Sequence, residues 1–301
     1  EIKECDWSSD VCSSDLLYMI KQSIGEHMDL GINFITSGVI ASILYLTAAV
    51  GLGQLLRKGV SCFDNPRTWI KIVGAAGLIF HGYVIYVLVI EQWVNLGFFH
   101  ALSIAGWLLV LLLEMTWLLR HVGNLGIIIF PIAAATVIMQ SLNPDATIQS
   151  ASSELDTHIF ISMLAYSLLG VAAIQAMLLA VQERHLRNKK PGGFIRALPP
   201  MNEVENLMFQ LIRGGVIVLG LALISAIPLV DNILEQQRAH TAVLSVISLL
   251  IFSALLWGRA RHGWRGKVAS YWTLSGFGFL FFAYFGSRFV IEILLETAAV
   301  S

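Results

Sequence analysis

HIFISMLAYSLLGVAAIQAMLLAV, residues 158–181, runs without an Asp, Glu, Lys or Arg and then breaks into QERHLRNKK, residues 182–190. About 20 apolar residues in a helix cross a hydrocarbon core of ~30 Å, so the stretch predicts a transmembrane helix. The basic cluster that follows, Arg184, Arg187, Lys189 and Lys190, assigns the far end of that helix to the cytoplasm, where membrane proteins retain lysine and arginine.

Working outward, the same alternation recurs along the chain. Apolar runs between charged punctuation predict eight helices: Gly31 to Leu56, Thr68 to Ile90, Phe98 to Leu119, Asn124 to Leu142, Thr157 to Val181, Glu205 to Leu229, His240 to Trp257 and Ala269 to Leu295. Basic residues follow the first span (Arg57, Lys58, Arg67, with Lys71 just beyond), the third (Arg120), the fifth, and the seventh (Arg259, Arg261, Arg265, Lys267). The alternate loops are acidic or nearly neutral, holding Asp145, Glu154 and Asp156, and then Asp231 and Glu235 against Arg238. The expectation is an all-α polytopic membrane protein with eight transmembrane helices and both termini outward.

Composition supports that class. The 301 residues are 56% hydrophobic and 13% charged, against roughly 25% charged in a soluble domain. Nineteen basic and 20 acidic side chains give a net charge of -1, which argues against a nucleic-acid partner. Short charged loops leave no room for a soluble catalytic domain, so the chain is not expected to be an enzyme. The connection from Gln182 to Asn202, with Pro191-Gly192-Gly193 and Pro199-Pro200, separates five helices from three.

The stretch from Cys5 to Leu16 reads differently from everything after it. It repeats Trp7-Ser8-Ser9-Asp10 as Ser13-Ser14-Asp15 within Val11 to Leu16, which resembles a translated sequencing adapter. Residues 1–30 are therefore treated as an N-terminal extension, 5–16 as artefactual, and 31–296 as one eight-helix membrane domain. With Cys5 and Cys12 set aside, Cys62 alone remains, and no disulfide framework or thiolate metal site is expected.

Polar residues inside a bilayer are costly and therefore informative. Of eight histidines, His27, His121, His185 and His262 read as loop residues. His100, His158 and His240 open the third, fifth and seventh spans at one face, and His81 lies inside the second. Two readings stand. Neutral imidazoles from separate helices at one face suit axial ligation of haem iron, and interfacial histidines also arise without a ligand. Gly74, Gly77 and His81 share a helix face, leaving a groove beside the imidazole, and His158, Ser162 and Tyr166 form another stripe. Glu114 and Arg213 lie at similar depth and are expected to pair. Arg288, one turn from Glu292, is placed to meet an anionic group such as a haem propionate.

From the third span onward the chain resembles the cytochrome c assembly protein family of CcsA/ResC-type membrane proteins, in its HemX/YpjD-like branch. The matching stretches include Asn95-Leu96-Gly97-Phe98-Phe99, His158 with Leu164-Ala165-Tyr166-Ser167-Leu168-Leu169, Gln182-Glu183-Arg184 and Arg196-Ala197-Leu198-Pro199-Pro200. They continue with His240-Thr241-Ala242-Val243-Leu244-Ser245, Gly263-Trp264-Arg265-Gly266 and Ala283-Tyr284-Phe285-Gly286-Ser287-Arg288. The resemblance implies that outer-surface histidines ligate haem, with His158 matching one of them and His240 falling in the region of the other. The family's tryptophan-rich segment with a Trp-Asp-Pro core is replaced here by Ile227 to Leu234, and Trp257 stands where a further histidine falls.

These readings combine into an expectation of a bacterial inner-membrane protein of cytochrome c assembly or related haem handling. Haem is the expected cofactor, with His158 and His240 as its iron ligands, Arg288 on its propionates and His81 as a second, deeper candidate. A second membrane subunit is the expected partner. The rivals are a transporter or transporter-regulating subunit without haem, and a structural subunit.

Overall fold

The computed structural model describes residues 33–55, 68–92, 98–119, 125–143, 153–188, 200–227 and 239–286. They form eight helices: α1 Asn33–Leu55, α2 Thr68–Gln92, α3 Phe98–Leu119, α4 Gly126–Leu142, α5 Ser153–Arg187, α6 Met201–Ser225, α7 Ala239–His262 and α8 Gly266–Phe281. A π-helical turn, Phe282–Gly286, continues α8. Among the described residues there is no strand, and the protein is an all-α polytopic membrane protein. Seven helices are long and apolar enough to cross a bilayer, and α4 is shorter at 17 residues.

Boundaries depart from the apolar runs where polar residues favour helix. The fifth helix runs on through Gln182 to Arg187, its last turn carrying Arg184, His185 and Arg187 against the negative end of the helix dipole. The sixth begins at Met201, just after Pro200, whose own backbone is extended. Cys5, Cys12, Cys62, the adapter-like stretch, Arg288 and Glu292 lie outside the described residues.

The outward surface is apolar, with Leu118 and Ile79 74% and 72% exposed. That inverts the soluble pattern and suits contact with lipid. Without a hydrophobic drive between helices in lipid, close packing of small residues must hold the bundle together. Gly77 lies under the Tyr45 ring, where an added Cβ would stand 2.7 Å from it, and Gly215 admits the Leu169 side chain. Side-chain hydroxyls add ties: Ser42 donates to the Ala134 carbonyl at 2.8 Å, and Ser248 donates to that of Gly276 at 2.9 Å.

The central element is α5, which packs on α3, α6 and α8. The linker between α5 and α6 therefore marks no break in packing: one buried cluster extends from Tyr45 to Phe285. Ser225 of α6 meets His158 at the start of α5 and Leu169 meets Gly215, so these two helices are antiparallel. Arg259 near the end of α7 meets Glu205 near the start of α6, which makes α7 parallel to α5. Ser167 of α5 reaches the Ala105 carbonyl, and Gly170 lies against Leu109, so α3 is parallel to α5 as well. His100, His158 and His240 consequently occupy one end of the bundle, and Glu205 the other.

Candidate functional site

Ser225 anchors the His158 imidazole. Its Oγ donates to the Ala222 carbonyl at 2.8 Å, a local bond along α6. With that proton committed, Oγ accepts from His158 Nδ1 at 2.9 Å. The arrangement selects the tautomer with hydrogen on Nδ1 and a lone pair on Nε2. His158 is half-buried, as a side chain opening towards the end of the bundle would be.

Beneath His158 is an aromatic floor. Tyr166, two turns along α5, packs edge-on to Tyr284 and Phe285 of the π turn, with centroids 6.2 and 6.0 Å away. Phe285 in turn meets Phe98 of α3 at 6.1 Å. Tyr166 also faces Ser245 of α7. Measured from that contact, His158 is about 12 Å and His240 about 7.5 Å along their parallel helices, at ~1.5 Å per residue. The two histidines thus differ in height by about 4.5 Å. His240 is exposed. The floor also gives the matched Ala283 to Gly286 stretch a structural meaning, since a π turn there re-aims Tyr284 and Phe285 towards α5.

His81 is placed differently. It is completely buried, with Nε2 2.8 Å from the Ser103 hydroxyl and Nδ1 3.3 Å from the Tyr45 hydroxyl. Both ring nitrogens therefore have partners, on α3 and α1. The groove expected beside it is filled, Gly77 by the Tyr45 ring and Gly74 by Glu114 and Phe130. His100 is also buried.

The expected pairing of Glu114 with Arg213 is not what the structure contains. Glu114 faces α2, its Oε1 close against Gly74 and under the influence of Lys71, and that oxygen is buried without a hydrogen-bond partner among the described residues. Arg213 is exposed on α6 beside Arg259. Similar depth misled because depth does not specify which face of a helix a side chain occupies.

At the opposite end of the bundle, Glu205 is the residue the sequence concealed by standing at the edge of an apolar run. Its carboxylate is buried and accepts from Arg259 Nη1 at 3.1 Å and Arg265 Nε at 2.9 Å. Its other oxygen accepts from the Gly266 backbone N–H at 3.2 Å. Gly263 and Gly266 have φ of 65° and 54°, left-handed values that glycine adopts at little cost, and so close the tight turn between α7 and α8. The Gly263-Trp264-Arg265-Gly266 stretch is accordingly a structural latch.

The fold and these stretches define a class: the chain belongs to the cytochrome c assembly protein family, whose model matches residues 69–295. Among curated relatives it is 31% identical over 169 residues to the inner membrane protein YpjD of Escherichia coli K12, covering 56% of this chain and 64% of that one. The chain thus spans less than two thirds of YpjD's length. It is 31% identical over 206 residues to an uncharacterised 28.8 kDa protein of Azospirillum brasilense, covering 64% of this chain and 76% of that one. It is 24% identical over 198 residues to the HemX protein of Brevibacillus brevis, covering 62% and 72% respectively. No solved structure matches it significantly. The protein is a multi-pass inner-membrane protein, in keeping with its apolar helices and its resemblance to YpjD.

Proposed function

We propose that this protein binds haem at the end of the bundle that carries His158 and His240, and serves cytochrome c assembly or related haem handling by binding rather than by catalysis. The observation that carries this reading is the 2.9 Å contact of His158 Nδ1 with the Ser225 hydroxyl, itself 2.8 Å from the Ala222 carbonyl, which leaves Nε2 as the ring nitrogen open to a ligand. A ligating histidine typically donates its other ring N–H to a neighbouring acceptor, which orients the ring, and Ser225 is that acceptor here. His158 offers Nε2 and His240 stands exposed at the same end, the donor set that axial ligation of haem iron uses, while the Tyr166 and Phe285 rings are buried in the core beneath them and serve to hold α5 against the π turn. Haem when bound supplies an iron with axial positions for imidazole and two anionic propionates. Arg288 is proposed to meet the propionates, and this end of the bundle to face outward, with the basic end in the cytoplasm. His81, with both nitrogens engaged, is assigned to helix packing.

The test is optical absorption of the detergent-purified protein from cells supplied with haem. Wild type is expected to show a Soret band, and the His158→Ala/His240→Ala double variant to insert normally without it. An unchanged spectrum in the double variant overturns the ligand assignment. No haem absorption in wild type favours a transporter or transporter-regulating subunit. A second membrane subunit receiving the haem is the proposed partner, to be sought by crosslinking at the His158 end.

A further inference from the structure

The exposed face of α6 changes character along its length. Asn202, Asn206, Gln210 and Arg213 are exposed in its first half, and Ile217, Leu221 and Ile224 in its second. The three- and four-residue spacing puts all seven on one stripe. Asn202 and Asn206 already accept from Arg265 and Arg259, which leaves Gln210 and Arg213 as the exposed polar groups that are expensive on a membrane helix and call for a partner.

Between the polar half and α7 is a cleft of about 140 Å³ lined by Asn206, Phe209, Gln210, Arg213 and Arg259. Arg259 lies over the Phe209 ring at 3.6 Å and donates from Nη2 to Asn206 at 3.2 Å. Glu205 is already shared between Arg259 and Arg265. Among the described residues no acidic side chain lines the cleft. Two guanidinium groups facing one opening repel each other there unless an anion lies between them.

We propose that this cleft binds the phosphate of an anionic phospholipid, with an acyl chain lying along Ile217, Leu221 and Ile224. Guanidinium groups bind phosphate oxygens in a bidentate manner. At about 140 Å³ the cleft has room for a headgroup phosphate, and the apolar half of the stripe continues from it as an acyl chain would. Exposed Trp257 and Tyr271 mark this end as an interfacial aromatic belt. Arg213 is about 12 Å deeper along α6 than Glu205, so its long side chain rises towards the headgroup level. Inorganic phosphate shares the headgroup's chemistry, but it would leave the apolar half of the stripe without a role.

Native mass spectrometry and thermal unfolding of the detergent-purified full chain test this, with dioleoylphosphatidylglycerol, dioleoylphosphatidylcholine and inorganic phosphate as probes. Phosphatidylglycerol is expected to bind and stabilise wild type more than the other two. Arg213→Gln is expected to weaken that binding about tenfold, Arg213→Lys to weaken it less, and Arg187→Gln, at the exposed end of α5, to leave it unchanged. Equal binding of the two lipids, or wild-type binding in Arg213→Gln, overturns the proposal. Equal stabilisation by inorganic phosphate overturns it in favour of a soluble-ion site. A co-purifying membrane protein whose release by Arg213→Gln leaves lipid binding intact overturns it in favour of a partner carboxylate.

Discussion

The Ser225 hydroxyl bridges His158 Nδ1 at 2.9 Å and the Ala222 carbonyl at 2.8 Å. One side chain of α6 thereby fixes both the orientation and the protonated nitrogen of an imidazole on α5. Any ligand to His158 must approach Nε2, and the strength of that bond depends on a residue that never touches the ligand.

Ser225→Ala separates orientation from ligation. Without the hydroxyl the imidazole keeps only the Ala222 backbone as a neighbouring partner among the described residues, so the ring gains rotational freedom and loses the acceptor nearest to Nδ1. Haem affinity is expected to fall about 10- to 100-fold, the usual effect of removing such a partner, while the Soret band stays at its wild-type position at saturating haem. Titration of the purified variant with haem measures this, and wild-type affinity would make Ser225 a packing residue only.

Close approach at Gly77 makes a prediction about stability alone. A Cβ there would stand 2.7 Å from the Tyr45 ring, which is completely buried. Gly77→Val is expected to cost about 1–3 kcal/mol through forced repacking. Gly220→Ala is the comparison, since nothing lies within 4 Å of that position. A lower unfolding temperature in the first and none in the second is expected. Equal midpoints would show that α1 and α2 do not rely on this contact.

The eight helices were legible because a bilayer imposes a length and a composition that a single sequence records directly. The end of the bundle shared by His100, His158 and His240 followed from the same alternation of loops. What was not legible was azimuth. In a helix apolar on nearly every side, periodicity does not separate the lipid face from the packing face, so Glu114 was matched with Arg213 when it faces Gly74. Ser225 and Glu205 were hidden for a related reason: each acts on a residue distant in sequence, and neither has a local pattern to announce it. For His81 the stripe with Gly74 and Gly77 was read correctly as a face, but Tyr45, which fills it, comes from another helix.

His81 offers a test of packing against ligation. Interhelical hydrogen bonds in membranes average about 0.6 kcal/mol and reach ~1.7, so Tyr45→Phe, which removes one, is expected to cost within that range. His81→Ala removes two and leaves a cavity, for an expected loss of about 2–4 kcal/mol. Both variants are expected to keep the haem spectrum of wild type. Loss of the Soret band in His81→Ala at a temperature where the protein remains folded would restore this histidine as a ligand.

Glu205 makes two ion pairs of unequal worth. The Arg265 side chain is 59% exposed, so its bond is screened and contributes little, whereas that of Arg259 is 22% exposed and stacks on Phe209. Breaking a buried pair from one side costs about 3–5 kcal/mol. Asn206 still holds Arg259, and a glutamine at 205 still accepts a hydrogen bond, so Glu205→Gln is expected to lose somewhat less, about 2–3 kcal/mol. Double-mutant cycles on the unfolding free energy distinguish the partners: coupling between Glu205→Gln and Arg259→Gln is expected to exceed that between Glu205→Gln and Arg265→Gln. The reverse order would make the turn between α7 and α8, rather than the contact of α6 with α7, the element that Glu205 holds.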